Sequence, residues 1–280
     1  MPRSILLDIF RIKKFTISIV VIAALIIAGL VGPTLYKVDP LTMRFAPERP
    51  PSPENPLGTD TYGRDVLAQL LHGIRMSLYI GATAALIALT IGTLIGAVAG
   101  VKGGLIDDAL MAVTNIVIAM PSILLMMLIA AYFRYRDPIL VAVIIGVTSW
   151  PWVARAVRAQ MLSLKEREFI YFSRMAGYGD FRIAVEDLLP NLGAYIFMAF
   201  VLLMSGAMIA EAGLSMIGVG ITQGTSLGII LYWAQMMEAV RRGLWWWFLP
   251  PGAVLVSLAA SLLMISTALD EYFSPRLKER

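Results

Sequence analysis

Nine charged side chains of this 280-residue sequence lie between residues 163 and 187, a stretch that we call the island. Long uncharged segments flank it on both sides. A helix that lies on anionic lipid carries a polar face rich in Lys and Arg, whereas the island mixes acids and bases. This balance favours docking to another protein, with a hairpin on the lipid surface as the alternative. The charged side chains are Lys165, Glu166, Arg167, Glu168, Arg174, Asp180, Arg182, Glu186 and Asp187.

The rest of the sequence offers little for catalysis or metal binding. It has no cysteine, so it can form no disulfide and no cysteine metal site. His72 is the single histidine, and a structural role is the expectation for it. No GxxxxGK[ST] loop that could cradle phosphates is present. The sequence therefore predicts a protein that is not an enzyme and that holds no cofactor of its own.

The composition is that of an integral membrane protein. Hydrophobic residues make up 59% of the chain and charged residues 15%, and the mean hydropathy is +0.78. Soluble domains carry about 25% charged residues. The net charge of +4 could suggest nucleic acid, but positive loops beside membrane spans explain it more simply.

Charge-free apolar runs predict an all-α, polytopic protein with six transmembrane helices, since each span needs roughly 20 such residues. The first helix is read as an uncleaved anchor and not as a signal peptide, because its apolar run is long and no cleavage site follows. The predicted helices cover about residues 15–36, 77–101, 109–133, 138–157, 188–210 and 244–269.

Three regions follow from these boundaries. Residues 1–76 form the first helix and a loop, residues 77–270 hold the other five helices, and residues 271–280 form a tail. Residues 211–243 are rich in glycine and polar at their centre, which predicts short helices and turns at a membrane surface. The cluster of Arg3, Arg11, Lys13 and Lys14 places both termini and the island in the cytoplasm, and the 36–75 loop and 211–243 segment outside.

The apolar runs that define the spans contain no Asp, Glu, Lys or Arg. Ionisable side chains inside spans are typical of proton relays and ion-coupled carriers. Their absence predicts that the chain either conducts passively or takes its power from a partner protein.

Small side chains recur every four residues in the second span, which places them on one helix stripe. Such a stripe lets another helix approach closely, either from this subunit or from a second one, and both alternatives stay open. Pro121 in the third span and the Pro250–Pro251 pair in the sixth predict kinks. The stripe consists of Ala84, Ala88, Gly92, Gly96 and Gly100.

Two short helices and a hinge are predicted within the island. Phe169, Phe172 and Ala176 share a face of the first helix. Gly177 suits the position just past its end, where φ is positive. Asp180 is the predicted N-cap of the second helix, which carries an apolar stripe. That stripe consists of Phe181, Ala184, Val185 and Leu188.

The island resembles the cytoplasmic loop of bacterial and archaeal ABC importer permeases. The resemblance is carried by Glu168, Gly177, Ile183, Leu189 and Pro190 in the spacing E-x8-G-x5-I-x5-LP. In that family the loop forms a coupling helix that docks in a cleft of an ATPase subunit, and this assigns the same contact here to Phe172, Arg174 and Asp180 as well. The family often has Glu-Ala-Ala where this chain has Tyr171, Phe172 and Ser173, so altered contacts are expected.

Two further stretches look like the C-type permease subunit of the dipeptide/oligopeptide importer family. They are NPLGTDTYGRDVLAQLLHG, residues 55–73, and EAGLSMIGVG, residues 211–220. The residues themselves indicate only a turn before a helix, with Asp60 as a cap, and a glycine-rich surface segment.

The resemblance implies a type I ABC importer permease fold in the cell membrane of a bacterium or archaeon. It also implies a second, related permease, two ATPase subunits that use ATP and Mg²⁺, and an extracytoplasmic binding protein. The cargo of the family is peptide, with oligosaccharide or nickel in relatives. A passive channel or scaffold without ATPase coupling is the alternative function.

The 211–243 segment could receive the binding protein through Trp233, Glu238, Arg241 and Arg242. The alternative is that this segment is a simple cap on the channel.

Overall fold

A computed structural model describes residues 9–10 and 12–273 of the chain. The predicted tail beyond residue 273 and the basic residues Arg3 and Arg11 lie outside this part. Helices dominate the described residues, where the β structure consists of one isolated antiparallel bridge between Thr59 and Asp65.

The helices, numbered along the chain, have the following bounds. They are α1 Lys13–Leu35, α2 Val66–Lys102, α3 Gly104–Ala119, α4 Ser122–Ala131, α5 Pro138–Ser149, α6 Pro151–Lys165, α7 Glu168–Met175, α8 Asp180–Arg182, a π-helix Ile183–Leu188, α9 Leu189–Asn191, α10 Gly193–Met216, α11 Leu227–Met236 and α12 Trp245–Phe273. Four of them, α1, α2, α10 and α12, are long and apolar enough to cross a membrane. The number of spans rises to six when α3 with α4 and α5 with α6 each count as one bent span, in agreement with the prediction.

The second span begins earlier than predicted, because α2 starts at Val66 and not near residue 77. Its N-cap is Asp65, whose side chain accepts a hydrogen bond from the Ala68 N–H. The predicted cap, Asp60, has a different role, described below. At 37 residues, α2 is about 55 Å long, which exceeds the roughly 30 Å thickness of a bilayer's hydrocarbon core.

Two spans are broken. The chain bends by 86° between α3 and α4, where Pro121 follows Met120, so the kink predicted at Pro121 is a full break. It bends by 47° between α5 and α6, which contradicts the prediction of one helix over 138–157. Proline lacks the N–H that continues a helix, and Pro151 is accordingly the first residue of α6, which runs on to Lys165. The Pro250–Pro251 pair lies inside α12, and the helix continues past it.

The fifth span also extends past its predicted end. The sequence boundary was placed at residue 210, before Glu211, but α10 continues to Met216 and buries Glu211. The run 188–210 carries no charge, as stated, but the helix that contains it extends further and includes the ionisable side chain of Glu211. The remainder of 211–243 consists of turns and the short helix α11, as the glycine content predicted.

Helix α2 is the centre of the bundle and packs against α1, α5, α6 and α10. The stripe on α2 faces α6 and α5 of the same chain. Ideal Cβ atoms built at Gly92 and Gly96 would lie 2.6 Å from Val153 Cβ and 2.5 Å from Ala154 O, so only glycine permits this approach.

Candidate coupling surface and loop cap

The island has one buried and one exposed side. Ile170 of α7 and Ile183 and Leu188 of the π-helix are buried in one cluster with Val157 and Met161 of α6. On the other side, Phe172 is 68% exposed, and five further positions of the predicted coupling set are open to solvent as well. These are Glu168, Arg174, Gly177, Asp180 and Pro190.

The exposed apolar surface is large for a segment this short. Met175 is 84% exposed and Phe181 is 82% exposed, and Tyr171 is also exposed. Contiguous exposed apolar area of this kind marks interaction surfaces. The predicted face of Phe169, Phe172 and Ala176 is therefore exposed, and Ile170 is the residue that anchors α7.

Two predicted island contacts differ in the structure. Ile183 is 3% exposed and holds the island against the bundle, so it cannot touch another protein in this conformation. Asp180 is the first residue of α8 and not its cap, since Gly179 is at the cap position without a side-chain hydrogen bond. Gly177 has φ = +84°, which agrees with its predicted role as the turn after α7.

The base of the island is tied to the bundle by charged side chains. Lys165 Nζ donates to the carbonyl oxygens of Gly100 and Val101 at the end of α2, at 3.1 and 2.8 Å. These carbonyls lie in the last turn, where a helix lacks internal donors. Arg158 binds Asp107 of α3 through two hydrogen bonds of 2.5 and 2.6 Å. Helices α2, α3 and α6 are thus linked next to the island.

At the opposite end of α2, residues 36–65 and 218–246 form a folded layer that we call the loop cap. Asp60 is fully buried at its centre and accepts four hydrogen bonds. One carboxylate oxygen accepts from the backbone N–H groups of Tyr62 and Arg64, and the other accepts from Arg64 Nε at 2.6 Å and Gln69 Nε2 at 3.0 Å.

A second buried carboxylate, Asp65, joins three segments. Besides capping α2, it accepts hydrogen bonds from Asn55 Nδ2 at 2.7 Å and Tyr36 Oη at 2.9 Å. Burial and this bond to Asp65 raise the pKa of Tyr36 to about 12, so the phenol keeps the proton that it donates. Residues 55–73 thus supply the buried hydrogen-bonding side chains of the loop cap, a role that their spacing in the sequence did not reveal.

The loop cap also brings the predicted docking residues together. Trp233 is half-buried, with its ring centroid 5.7 Å from that of Tyr62. Glu238, Arg241 and Arg242 are exposed, and Glu238 pairs with Arg241. Arg242 pairs with Glu48 across the cap.

Glu211 is the functional candidate that sequence reasoning missed. Its carboxylate is fully buried and accepts from Ser215 at 2.8 Å, Ser226 at 2.6 Å and Ser77 at 3.3 Å. Ser226 and Ser77 also accept backbone N–H groups of α11, so their own hydroxyl protons point to Glu211. One carboxylate therefore links α2, α10 and α11. The signal for this site in the sequence was the spacing of Glu211 and Ser215, because residues one helical turn apart can form a hydrogen bond.

Arg136, in the loop between α4 and α5, has a local structural role. Its Nε donates to Gly220 O at 2.9 Å and its Nη1 to Phe133 O at 2.8 Å, and Thr222 N donates to Arg136 O. The side chain joins the α4–α5 loop to the segment after α10. Within residues 9–10 and 12–273, no three His, Asp or Glu side chains are grouped as metal ligands would be.

Comparison with known proteins gives a consistent result. Residues 92–279 match the family described as "Binding-protein-dependent transport system inner membrane component". A peptide transport system permease protein of Brucella suis biovar 1 is 33% identical over 96% of this chain and 90% of its own length. The dipeptide transport system permease protein DppC of Bacillus subtilis is 30% identical (96% and 84%), and the nickel transport system permease protein NikC of Escherichia coli K12 is 30% identical (93% and 94%).

Proposed function

Because the chain belongs to the family of binding-protein-dependent transport system inner membrane components, we propose that it forms half of the translocation pathway of an ATP-driven importer. As a member of that family it is a multi-pass permease subunit of the bacterial inner membrane with the type I ABC permease fold. The second half comes from a related permease, and ATP hydrolysis takes place in two partner ATPase subunits. Both termini and the island face the cytoplasm in this proposal.

The exposed side of the island is the observation that carries the proposal. Phe172, Met175 and Phe181 present apolar surface, and Glu168, Arg174 and Asp180 surround it with charges of both signs. This mixture suits a cleft in a protein better than anionic lipid. Leu189 is half-buried and Ile183 is buried, so both support the docking surface from below.

The island is also attached in a way that allows it to transmit motion. Because Lys165 and Arg158 link α6 to α2 and α3, a displacement of the island moves these helices together. Such rigid-body movement is one way in which a domain switches between two orientations of a pathway. The charge-free runs of the spans contain no row of ionisable side chains that could power this movement, so in this proposal the power comes from the ATPase subunits.

The cargo is a peptide or a related solute such as an oligosaccharide, and the relatives include permeases named for peptide and for nickel transport. The loop cap is the surface on which an extracytoplasmic binding protein docks, with Trp233, Glu238, Arg241 and Arg242 in contact. Its internal hydrogen bonds support a preformed docking surface.

The test is co-purification of the ATPase subunits with the Phe172→Asp variant. A carboxylate in an apolar contact must lose its water, so we expect ATPase association to fall strongly. Tyr135→Asp is the matched control, because Tyr135 is an exposed aromatic outside the island. Equal ATPase association of both variants and the unmodified protein would overturn the proposal and leave the passive channel as the better account.

A further inference from the structure

An apolar groove lies between the end of α2 and the island. Its volume is about 270 Å³, and α2 forms one wall while the island's α8, π-helix and α9 form the other. Among the described residues that line the groove, Lys102, the last residue of α2, is the only charged one. Its apolar lining includes Leu94, Ala97 and Val98 from α2, and Ala184 and Val185 from the island.

The groove is open on the face of α2 that points away from the bundle. Leu94 is 61% exposed, and Val98 and Val185 are 46% exposed each. Tyr79 and Leu86 are exposed on the same face of α2, at intervals of about two helical turns. The groove thus continues a row of exposed apolar side chains that follows α2 along its length.

Exposed basic residues mark the two ends of this row, Arg75 at one end and Lys102 at the other. The charge-free run between them, residues 76–101, is about 39 Å long at about 1.5 Å per residue. A bilayer is about 30 Å thick across its hydrocarbon core and about 40–45 Å across with its headgroup layers. When α2 crosses the bilayer along this run, Lys102 and the end of the groove therefore lie at the level of the lipid phosphates.

The ammonium group of Lys102 is available to an anion. A lysine in the last turn of a helix commonly binds the final carbonyl groups. In α2 these carbonyls accept hydrogen bonds from Lys165 instead, and within residues 9–10 and 12–273 Lys102 has no hydrogen bond or ion pair. Asp107, the next acidic residue along the chain, is already paired with Arg158.

We propose that one anionic phospholipid, from the leaflet on the island's side, binds with an acyl chain in the groove and its phosphate on Lys102. An apolar channel that ends in a single free cation at headgroup depth complements one such molecule. Lipid chains are in hydrocarbon whether or not they occupy the groove, so the groove fixes the position of the lipid. Lys102 supplies the preference for a negative headgroup.

A lipid in this place contacts α2 and the island at the same time. Phe172 and Met175, on the side of the island that we assign to the ATPase, do not line the groove, so lipid and ATPase can be bound together. The inference goes beyond the proposed function, because the site requires the bilayer and not an ATPase subunit.

The test is native mass spectrometry of the whole transporter, released from nanodiscs with equal amounts of phosphatidylcholine and phosphatidylglycerol. A basic residue near the surface favours an anionic lipid by about fivefold. We therefore expect the fraction of transporter that retains phosphatidylglycerol to fall about fivefold in Lys102→Gln. Retention equal to that of the unmodified protein would overturn the proposal.

Lys14→Gln is the matched control for the loss of a positive charge. Gly29 contacts Ile74 and Gly32 contacts Leu71, so α1 is antiparallel to α2. The exposed Lys14, at the start of α1, therefore lies at the same end of the bundle as Lys102 but outside the groove. We expect Lys14→Gln to retain phosphatidylglycerol, and an equal loss in both variants would overturn a specific site.

A variant that fills the groove tests its role separately from the charge. Ala184→Trp keeps Lys102 and places an indole ring between the two walls, so we expect the same loss of phosphatidylglycerol as in Lys102→Gln. Ala24→Trp is the control, because Ala24 is exposed on α1 and outside the groove. Equal retention in the two tryptophan variants, at equal melting temperatures, would overturn the assignment of the acyl chain to the groove.

Two further measurements identify the occupant. Inorganic phosphate carries the charge without acyl chains, so we expect an excess of it to leave phosphatidylglycerol bound, and displacement would overturn the lipid site in favour of a free anion. A photo-crosslinking side chain at Val98 should form an adduct with phospholipid in the intact transporter. Crosslinks from Val98 only to a second permease or to an ATPase subunit would show that protein covers the groove, and would overturn the proposal.

Discussion

The island and the loop cap lie at opposite ends of α2 and are built in opposite ways. The loop cap is tied together from within by buried carboxylates, of which Asp60 and Asp65 alone accept seven hydrogen bonds. The island is held by three apolar side chains on one face and by Lys165 at its base, and most of its other charged residues are exposed. A self-sufficient surface suits a fixed docking platform, whereas an open one suits contact with a moving partner.

The loop cap should be the more fragile end when a single buried charge is removed. Asp60→Ala leaves the buried guanidinium of Arg64 unpaired, and breaking a buried ion pair costs roughly 3–5 kcal/mol. We expect a large loss of thermal stability in the purified protein. Glu54→Ala, at an exposed position of the same loop, should change little. Similar melting of the two variants would contradict the hub role of Asp60.

The contact between α2 and α6 at the base of the island should depend on the glycines of the stripe. Gly96→Val places atoms where Ala154 O and Val157 Cβ already lie, and overpacking of this kind costs about 1–3 kcal/mol. We expect a lower melting temperature and weaker coupling of ATP hydrolysis to transport. Gly193→Ala is the control, because no atom lies within 4 Å of its Cβ position. Full coupling in Gly96→Val would show that α2 and α6 need not stay in contact.

Glu211 should contribute less than Asp60, because hydroxyls and not a charge complete its site. Glu211→Gln keeps the shape but directs an amide N–H₂ group at hydroxyls that already donate, which costs about 1 kcal/mol. Thermal unfolding would measure the loss. Ser205→Ala is the control for the general effect of losing one hydrogen bond, because it removes the bond from the Ser205 hydroxyl on α10 to the Ala259 carbonyl oxygen on α12. A more stable Glu211→Gln variant would show that the carboxylate is already protonated.

The smallest effect is expected on the exposed side of the island. Arg182 and Glu186 form an ion pair 2.8 Å long that is about half exposed, and such pairs contribute roughly 0.3–0.5 kcal/mol. Arg182→Ala should therefore leave melting unchanged. A marked loss of stability would mean that the island, like the loop cap, is held together by its polar contacts.

The sequence predicted the spans well because lipid imposes a simple rule on composition. Charge-free runs identify six of them, and Gly177 marks the hinge of the island. The rule failed where a local partner overrides it. A charged residue such as Glu211 predicts the end of a span. Ser77 and Ser226, which come from other elements, hydrogen-bond its carboxylate and allow the helix to continue past it. In the sequence, Pro151 lies within one charge-free apolar run, although in the structure it is the first residue of a new helix.

The loop cap could not be derived from spacing, because its bonds join residues far apart in the chain. Asp65 meets Tyr36 across 29 positions, and Trp246 Nε1 donates to Thr59 O across 187. The island's buried face was misassigned for a related reason. Ile170 and Phe172 both fit a helical pattern, and only the position of α6 decides which of them is covered.

The central claim is that the exposed side of the island contacts an ATPase subunit, and a photo-crosslinking side chain at Met175 tests it most directly. Met175 is 84% exposed, so the replacement does not disturb packing. In the intact transporter we predict a crosslink to the ATPase subunit, and none from the same group placed at Tyr135. Crosslinks from position 175 to phospholipid alone would contradict the account.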